Sequence, residues 1–256
     1  MPPAQRPTVW LTGMLVACVI MIGLNLWPRP VSAADPGLLA KAAAPQAKLG
    51  VAVYDLHEQA MLTTINPDMV FDAQSVLKLL IAMDRLEQNP DDDGAGIARM
   101  LSRSDDDVAN ELWFVGGQDE ILRRMAGRIG LRESTGPDRS GFWGDSDTTA
   151  ADQVRIYRYL LSRPYAGQLL AAMAHPSRAG LDGTDQYFGI PDAAAGRLWA
   201  VKQGWADDFR QPGPDTDYRH STGIVDDRYI VIVLSKGTRD PRQVTEVAKA
   251  VIPAVT

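Results

Sequence analysis

SVLKLLIAMDRLE, residues 75–87, is the stretch on which the reading of this chain turns. Its apolar residues fall with helical spacing and predict a buried helix with room for one charge, Lys78. Ser75 and Lys78 stand three residues apart and so share one face of that helix. A helix start leaves backbone N–H groups without intrahelical partners. A serine there, with a buried lysine one turn on, can lose its proton to the neutral amine and attack a carbonyl. Ser-x-x-Lys also arises by chance as a solvated lysine beside a helix-start serine. The apolar context of Lys78 is what favours the chemical reading.

Working outward, Leu49–Leu56 (LGVAVYDL) alternates as a strand and Met61–Ile65 returns as a second, while Asn89–Gly94 ends the helix as a solvent-facing loop. Helices are predicted over 95–102, 107–114 and 118–128. Residues 130–149 show no periodicity, and connections of that length are often functional. Thr149-Ala150-Ala151-Asp152 has a capping-box pattern and opens a helix to about residue 161. A helix over 165–174 and a second irregular stretch, 175–196, follow. Strands are predicted at 197–202, 218–225 and 228–234. A last helix opens at Asp240-Pro241 and runs to about Ile252. The order implies an α+β fold. The terminal strands and helix form one largely antiparallel sheet unit, into which an all-helical lobe is inserted.

Two more motifs bracket the first. Ser104-Asp105-Asp106 lies between two predicted helices: Ser104 is either a proton relay or, like Asp106, an N-cap for the next helix. Lys202-Gln203-Gly204, before Trp205, is placed at a strand end. It is either a simple turn or a site where lysine binds a carboxylate and glycine lets an acyl group approach the backbone.

In order and placement, these three motifs resemble Ser-x-x-Lys, Ser-x-Asn and Lys-Thr/Ser-Gly of the penicillin-recognising serine hydrolases, the class A beta-lactamases and DD-peptidases. GVAVYDL (50–56), AQSVLKLLIAM (73–83), TTAADQV (148–154) and WAVKQGW (199–205) extend the resemblance over most of the chain from Leu49 onward. It implies a beta-lactamase/transpeptidase-like fold with the site between sheet and helical lobe. It also implies roles: Ser75 the nucleophile, Lys78 its base, Ser104 the proton shuttle, and Lys202 the anchor for a substrate carboxylate. Gln203, Gly204, Trp205 and Asp106 would line the substrate. The oxyanion hole would be the Ser75 N–H with that of Trp205 or Ala206. Peptidoglycan peptides or beta-lactams are the implied substrates, with no cofactor and no metal.

The chain departs from that pattern in four places. Asp106 stands where the family has Asn, and a carboxylate beside Lys78 holds it charged and makes it a poorer base. Gln203 replaces Thr or Ser. The Ser75–Ser104 gap is short. The long loop offers Glu133 as a deacylating base, outside the family's usual surroundings. Two alternatives therefore stay open: a non-catalytic cell-envelope binding protein on the same fold, and a small-ester hydrolase. Trp205, Tyr187 and Phe188 are candidates for the cleft entrance, His220 is a candidate to face the cleft, and Trp143 reads as an anchor for the long loop.

Composition frames these readings. The 256 residues carry 26 basic and 32 acidic side chains, a formal charge of −6, with 45% hydrophobic residues: a globular body, and an acidic one, which argues against nucleic acid as partner. Between Arg6 and Arg29 no charge interrupts VWLTGMLVACVIMIGLNLW (9–27), and VSA follows at 31–33. Residues 1–33 read as a secretory signal cleaved after Ala33, or as a retained N-terminal anchor in contact with a membrane. LVAC, residues 15–18, resembles a lipobox, although the apolar run continues past Cys18. Without residues 1–33, a domain of 223 residues at −8 remains, with no cysteine.

Overall fold

The computed structural model describes residues 35–92, 94–207 and 216–254; the leader expected at 1–33 lies outside them. The described residues open with α1 (Pro36–Ala43), then β1 (Lys48–Asp55) and β2 (Ala60–Ile65). A two-residue strand β3 (Phe71–Asp72) leads into a 3₁₀ turn, Gln74–Val76, and α2 (Leu77–Gln88). Three helices follow: α3 (Ala95–Arg103), α4 (Asp106–Val115) and α5 (Asp119–Ile129). After the long irregular stretch come β4 (Asp147–Thr148), α6 (Ala150–Leu161), α7 (Ala166–Ala174) and the short α8 (Ile190–Ala193). Strands β5 (Trp199–Ala206), β6 (Tyr218–Val225) and β7 (Tyr229–Lys236) and helix α9 (Pro241–Val251) complete the described elements. Among the described residues no helix is long and apolar enough to cross a membrane.

Five strands form one sheet in the order β2-β1-β7-β6-β5, every pair antiparallel. Strand periodicity divides the sheet's side chains between two cores. Ala52, Tyr54, Ile230, Ile232 and Leu234 face the core shared with α2 and α6, while Val51, Val53, Val231 and Val233 face the other. The second core is closed by α9, whose Val244, Val247, Ala248 and Val251 recur at helical spacing, and by Ala40 and Ala44 at α1. Both faces of the sheet are covered, as its unbroken apolar strands demand.

Two differences from the sequence reading matter for the site. The strand predicted at 197–202 begins instead at Trp199 and runs to Ala206. Arg197 is drawn off by Asp226 and by the Pro253 carbonyl, so pairing starts at Trp199–Val225 and carries through Gly204–His220. Lys202-Gln203-Gly204 therefore lies inside the edge strand, not at its end. The small β3–β4 ladder has too short a pattern to be read from sequence, yet it ties the long loop to the approach to Ser75.

Asp152 holds the start of that loop. Its carboxylate accepts the backbone N–H groups of Arg132, Glu133 and Ser134, the Ser134 hydroxyl at 2.9 Å and the Arg155 guanidinium at 2.6 Å. Thr149 caps α6 by accepting the Asp152 N–H at 3.1 Å. Burial raises the Asp152 pKa, but these donors outweigh it and hold the carboxyl below its ordinary range. Its contribution to stability is therefore in place above the ordinary carboxylate range and is lost as pH falls through the lowered value. Asp152→Ala, which strands buried donors, should cost about 3 kcal/mol in urea unfolding at pH 7. The gap between variant and parent should narrow towards pH 3; a gap that stays constant with pH would contradict this account.

Candidate active site

The approach to Ser75 is fixed from the sheet side. Gly50 on β1 leaves room for the Phe71 ring, since a Cβ there would lie 2.6 Å from Phe71 Cε2. His220 on β6 is fully buried, with Nε2 2.9 Å from the Asp72 carbonyl and Nδ1 3.2 Å from the Ser235 N–H. Burial pushes its pKa down to about 4, so the neutral ring donates from Nε2 and accepts at Nδ1. His220 thus braces the strand before the site and does not face the cleft. Ala73 N–H donates to the Ser146 carbonyl at 2.7 Å, and Gln74 takes a left-handed φ of 50° immediately before Ser75. A non-glycine residue in that region persists only where its surroundings enforce it.

From the helical lobe comes Ser104, also left-handed with φ 53°, at the break between α3 and α4. Asp105, not Ser104 or Asp106, caps α4: its side chain accepts the N–H groups of Asp107 and Val108, while Arg99 pairs with it from behind. Capping by Asp105 leaves Ser104 and Asp106 free to meet Lys78. Lys78 is fully buried, and its Nζ lies 3.1 Å from Ser75 Oγ, 3.0 Å from Ser104 Oγ, 2.8 Å from the Ser104 carbonyl and 2.5 Å from Asp106 Oδ1. Four oxygens surround a group with three protons. The neutral amine would donate two N–H bonds and accept the Ser75 O–H on its lone pair. Burial pushes the Lys78 ammonium below the ordinary lysine range, and Asp106 pulls against that push.

Lys202 completes the chain of contacts. Its Nζ donates to Ser104 Oγ at 3.1 Å and to the Gln203 carbonyl at 2.9 Å. Burial, reinforced by the charge on Lys78, pushes it well below the ordinary range. Ser104 Oγ therefore bridges two lysines, and Ser75, Lys78, Ser104 and Lys202 form one continuous polar path. Gly204 lets the edge strand close on Ser75: a Cβ there would sit 3.3 Å from Ser75 N and from the Ala73 carbonyl.

Above this path opens a cleft of about 670 Å³, lined by Ser75, Ser104, Asp106, Trp143 and Trp205 among others. Trp143 places its ring 5.0 Å from Lys78 Nζ and donates its indole N–H to Asn110 at 2.8 Å, so the long loop contributes a wall as well as an anchor. Trp205 lies 5.8 Å from Lys202 Nζ and donates to Asp182 at 2.8 Å.

Several predicted residues stand elsewhere. Gln203 is buried and turned away, donating to the carbonyls of Gln186 at 3.1 Å and Phe188 at 2.5 Å. Glu133 is exposed near the Asp152 clamp and does not line the cleft, nor does Asp138, Asp145 or Asp147. Tyr187 packs edge-on to Trp199, and Phe188 joins the α9-side core. Conversely, Asp182 and Asp207 line the cleft without having been singled out from the sequence, and Asp107 lines it beside Asp106. Leu181-Asp182-Gly183-Thr184 shows a turn in sequence, but nothing local says that the turn meets Trp205. Among the described residues no group of three or more His, Cys, Asp or Glu is placed to hold a metal ion.

No protein-family model matches the chain. It is 34% identical over 212 residues to "Putative lipoprotein LppW" of Mycobacterium tuberculosis (strain ATCC 25618 / H37Rv) and of Mycobacterium bovis, an overlap covering 76% of this chain. The chain spans 65% of the length of these relatives. Among solved structures it is similar to a beta-lactamase from Sphaerobacter thermophilus DSM 20745 (TM-score 0.64, 15% identity, 84% of this chain and 94% of that one). It is equally similar to PBP-A (TM-score 0.65, 18% identity, 84% and 93%) and to a class A beta-lactamase from Bacteroides cellulosilyticus DSM 14838 (TM-score 0.64, 16% identity, 84% and 96%). An antiparallel five-stranded sheet, helices on both its faces and an inserted helical lobe, superposed over most of each of these structures, give this chain the class A beta-lactamase/penicillin-binding-protein fold.

Proposed function

We propose that this chain is an exported serine acyl hydrolase that forms a covalent acyl-enzyme on Ser75, with peptidoglycan-like peptides or beta-lactams as its substrate class. The observation that carries this reading is the contact of Lys78 Nζ with Ser75 Oγ at 3.1 Å and Ser104 Oγ at 3.0 Å in a buried setting at the floor of a cleft. In the neutral state Lys78 accepts the Ser75 proton as Oγ bonds to the substrate carbonyl carbon. The Ser75 N–H, with an edge N–H of β5 at Trp205 or Ala206, would stabilise the oxyanion. Collapse breaks the bond to the leaving group, and the proton passes from Lys78 through Ser104 to that group. Water then hydrolyses the acyl ester. No carboxylate from residues 130–149 lines the cleft to activate that water, so the acyl-enzyme should be long-lived. Export is supported by the sequence of residues 1–33 and, for the envelope, by the lipoprotein name of the relatives.

One observation favours a second reading, a non-catalytic envelope binding protein. Asp106, at 2.5 Å, stabilises the protonated form of Lys78 and so withholds the base.

Intact-mass measurement after exposure to benzylpenicillin, and separately to a neutral acyl thioester, distinguishes the two. A single adduct of the acyl mass should form with the thioester, persist after the free reagent is removed, and be absent in Ser75→Ala. No adduct from either reagent would sink the hydrolase reading.

Asp106→Asn removes the charge that holds Lys78 protonated. The acidic limb of the pH–acylation profile should move to lower pH, and acylation at pH 7 should rise about tenfold for each unit it moves. An unmoved limb would show that Asp106 does not restrain the base.

A further inference from the structure

The resemblance assigns Lys202 to a substrate carboxylate, and the structure gives that lysine other work. Lys202 is 1% exposed, is committed to Ser104 Oγ and the Gln203 carbonyl, and lies beneath the Trp205 ring. It does not line the cleft, and among the described residues no lysine, arginine or histidine does. Five aspartates do: Asp105, Asp106, Asp107, Asp182 and Asp207. Three have cationic partners behind the cleft wall: Asp105 with Arg99, Asp106 with Lys78, and Asp207 with Arg219.

Asp182 is different. Its carboxylate accepts the Trp205 indole N–H at 2.8 Å, the Thr184 N–H at 2.9 Å and the Thr184 hydroxyl at 3.1 Å, all neutral donors. They fix its position and keep it ionised against the opposing effect of burial, without cancelling its charge. Asp107 adds a second carboxylate, exposed on the first turn of α4. The two tryptophans that share the cleft offer ring surfaces that attract cations. Among the described residues, a substrate carboxylate entering here would meet anionic walls and no accessible positive side chain.

Building on the acyl-enzyme reading above, we propose that within that substrate class the cleft favours acyl donors that carry a cationic group near the scissile bond, with Asp182 as the main specificity-determining residue and Asp107 in support. Asp182 is already oriented through Trp205, so a ligand ammonium can pair with it at little ordering cost. The chemistry at Ser75 is unchanged: the Oγ–carbon bond forms, the carbon–leaving-group bond breaks, and the serine proton leaves with that group.

The test uses three acyl thioesters of one skeleton that differ only in a side group placed near the scissile bond: ammonium, neutral amide and carboxylate. Second-order acylation of Ser75 is followed by thiol release and intact mass. The ammonium compound should react at least about tenfold faster than the carboxylate one at low salt. The ratio should shrink as salt rises from about 0.02 M to about 0.5 M, because exposed charges are screened. Asp182→Asn, which keeps an acceptor for Trp205, should bring the ratio most of the way to one, and Asp107→Asn should lower it less. Equal rates for the three thioesters, or faster reaction of the carboxylate compound, overturn the specificity proposal while leaving the nucleophile in place. Failure of the neutral thioester to acylate Ser75 overturns the underlying hydrolase reading instead. If Asp182→Asn fails to fold, the salt dependence of the parent protein still decides: a ratio insensitive to salt counts against the carboxylates.

Discussion

The burial of Lys78 organises the site of this molecule. Lys78 sits among the apolar residues of the first turns of α2, and removing a charge from water is tolerated only where polar atoms replace the lost hydration. The oxygens that do so come from two places in the chain: Ser75 from the sheet side, and Ser104 and Asp106 from the helical lobe. The need to satisfy Lys78 therefore draws the α3–α4 junction onto the start of α2. It also explains why Ser104 tolerates left-handed backbone, since both its hydroxyl and its carbonyl must reach one nitrogen. The cleft, Ser75 and the Lys78–Ser104 contacts all lie where this demand brings two lobes together.

Edge strands normally invite pairing with other chains. Here β5 is an edge of the sheet, yet its central residues are buried, because the 3₁₀ turn carrying Ser75 packs along it. Gly204 makes that approach possible. Gln203 secures the opposite side by binding the carbonyls of Gln186 and Phe188. Its amide is long enough to reach that segment, and two hydrogen bonds to backbone give it a structural role distinct from substrate contact.

Much of the fold was legible because it rests on local periodicity. The apolar runs of β1 and β7, buried on both faces, the apolar run of α2 and the spacing in α9 are recorded in the chain residue by residue. The Ser75–Lys78 pair was legible for the same reason, being one helical turn. What escaped reading is non-local. Asp105 takes the capping role in place of its neighbours through backbone geometry that three adjacent polar residues do not reveal. The start of β5 was misplaced because Arg197 finds Asp226, 29 residues away, and leaves the ladder. Glu133 was considered because it lies in the long loop, but the five-donor clamp on Asp152 fixes that part of the loop away from the cleft. Asp182 was not considered because only the tertiary fold carries its turn to Trp205.

The sheet order has a consequence for how the protein comes into being. β1 has only the short hairpin partner β2 on one side, and on the other it pairs with β7, matching Val51 to Val233. The ladder at the heart of the sheet thus joins segments about 180 residues apart. Closing so large a loop costs entropy before any contact repays it, and folds dominated by such pairings form slowly. During synthesis the helices can gather while the hairpin waits with one side unpaired. The native sheet can assemble only after β7 has emerged, so a segment far along the chain commits the earlier strands to their final form.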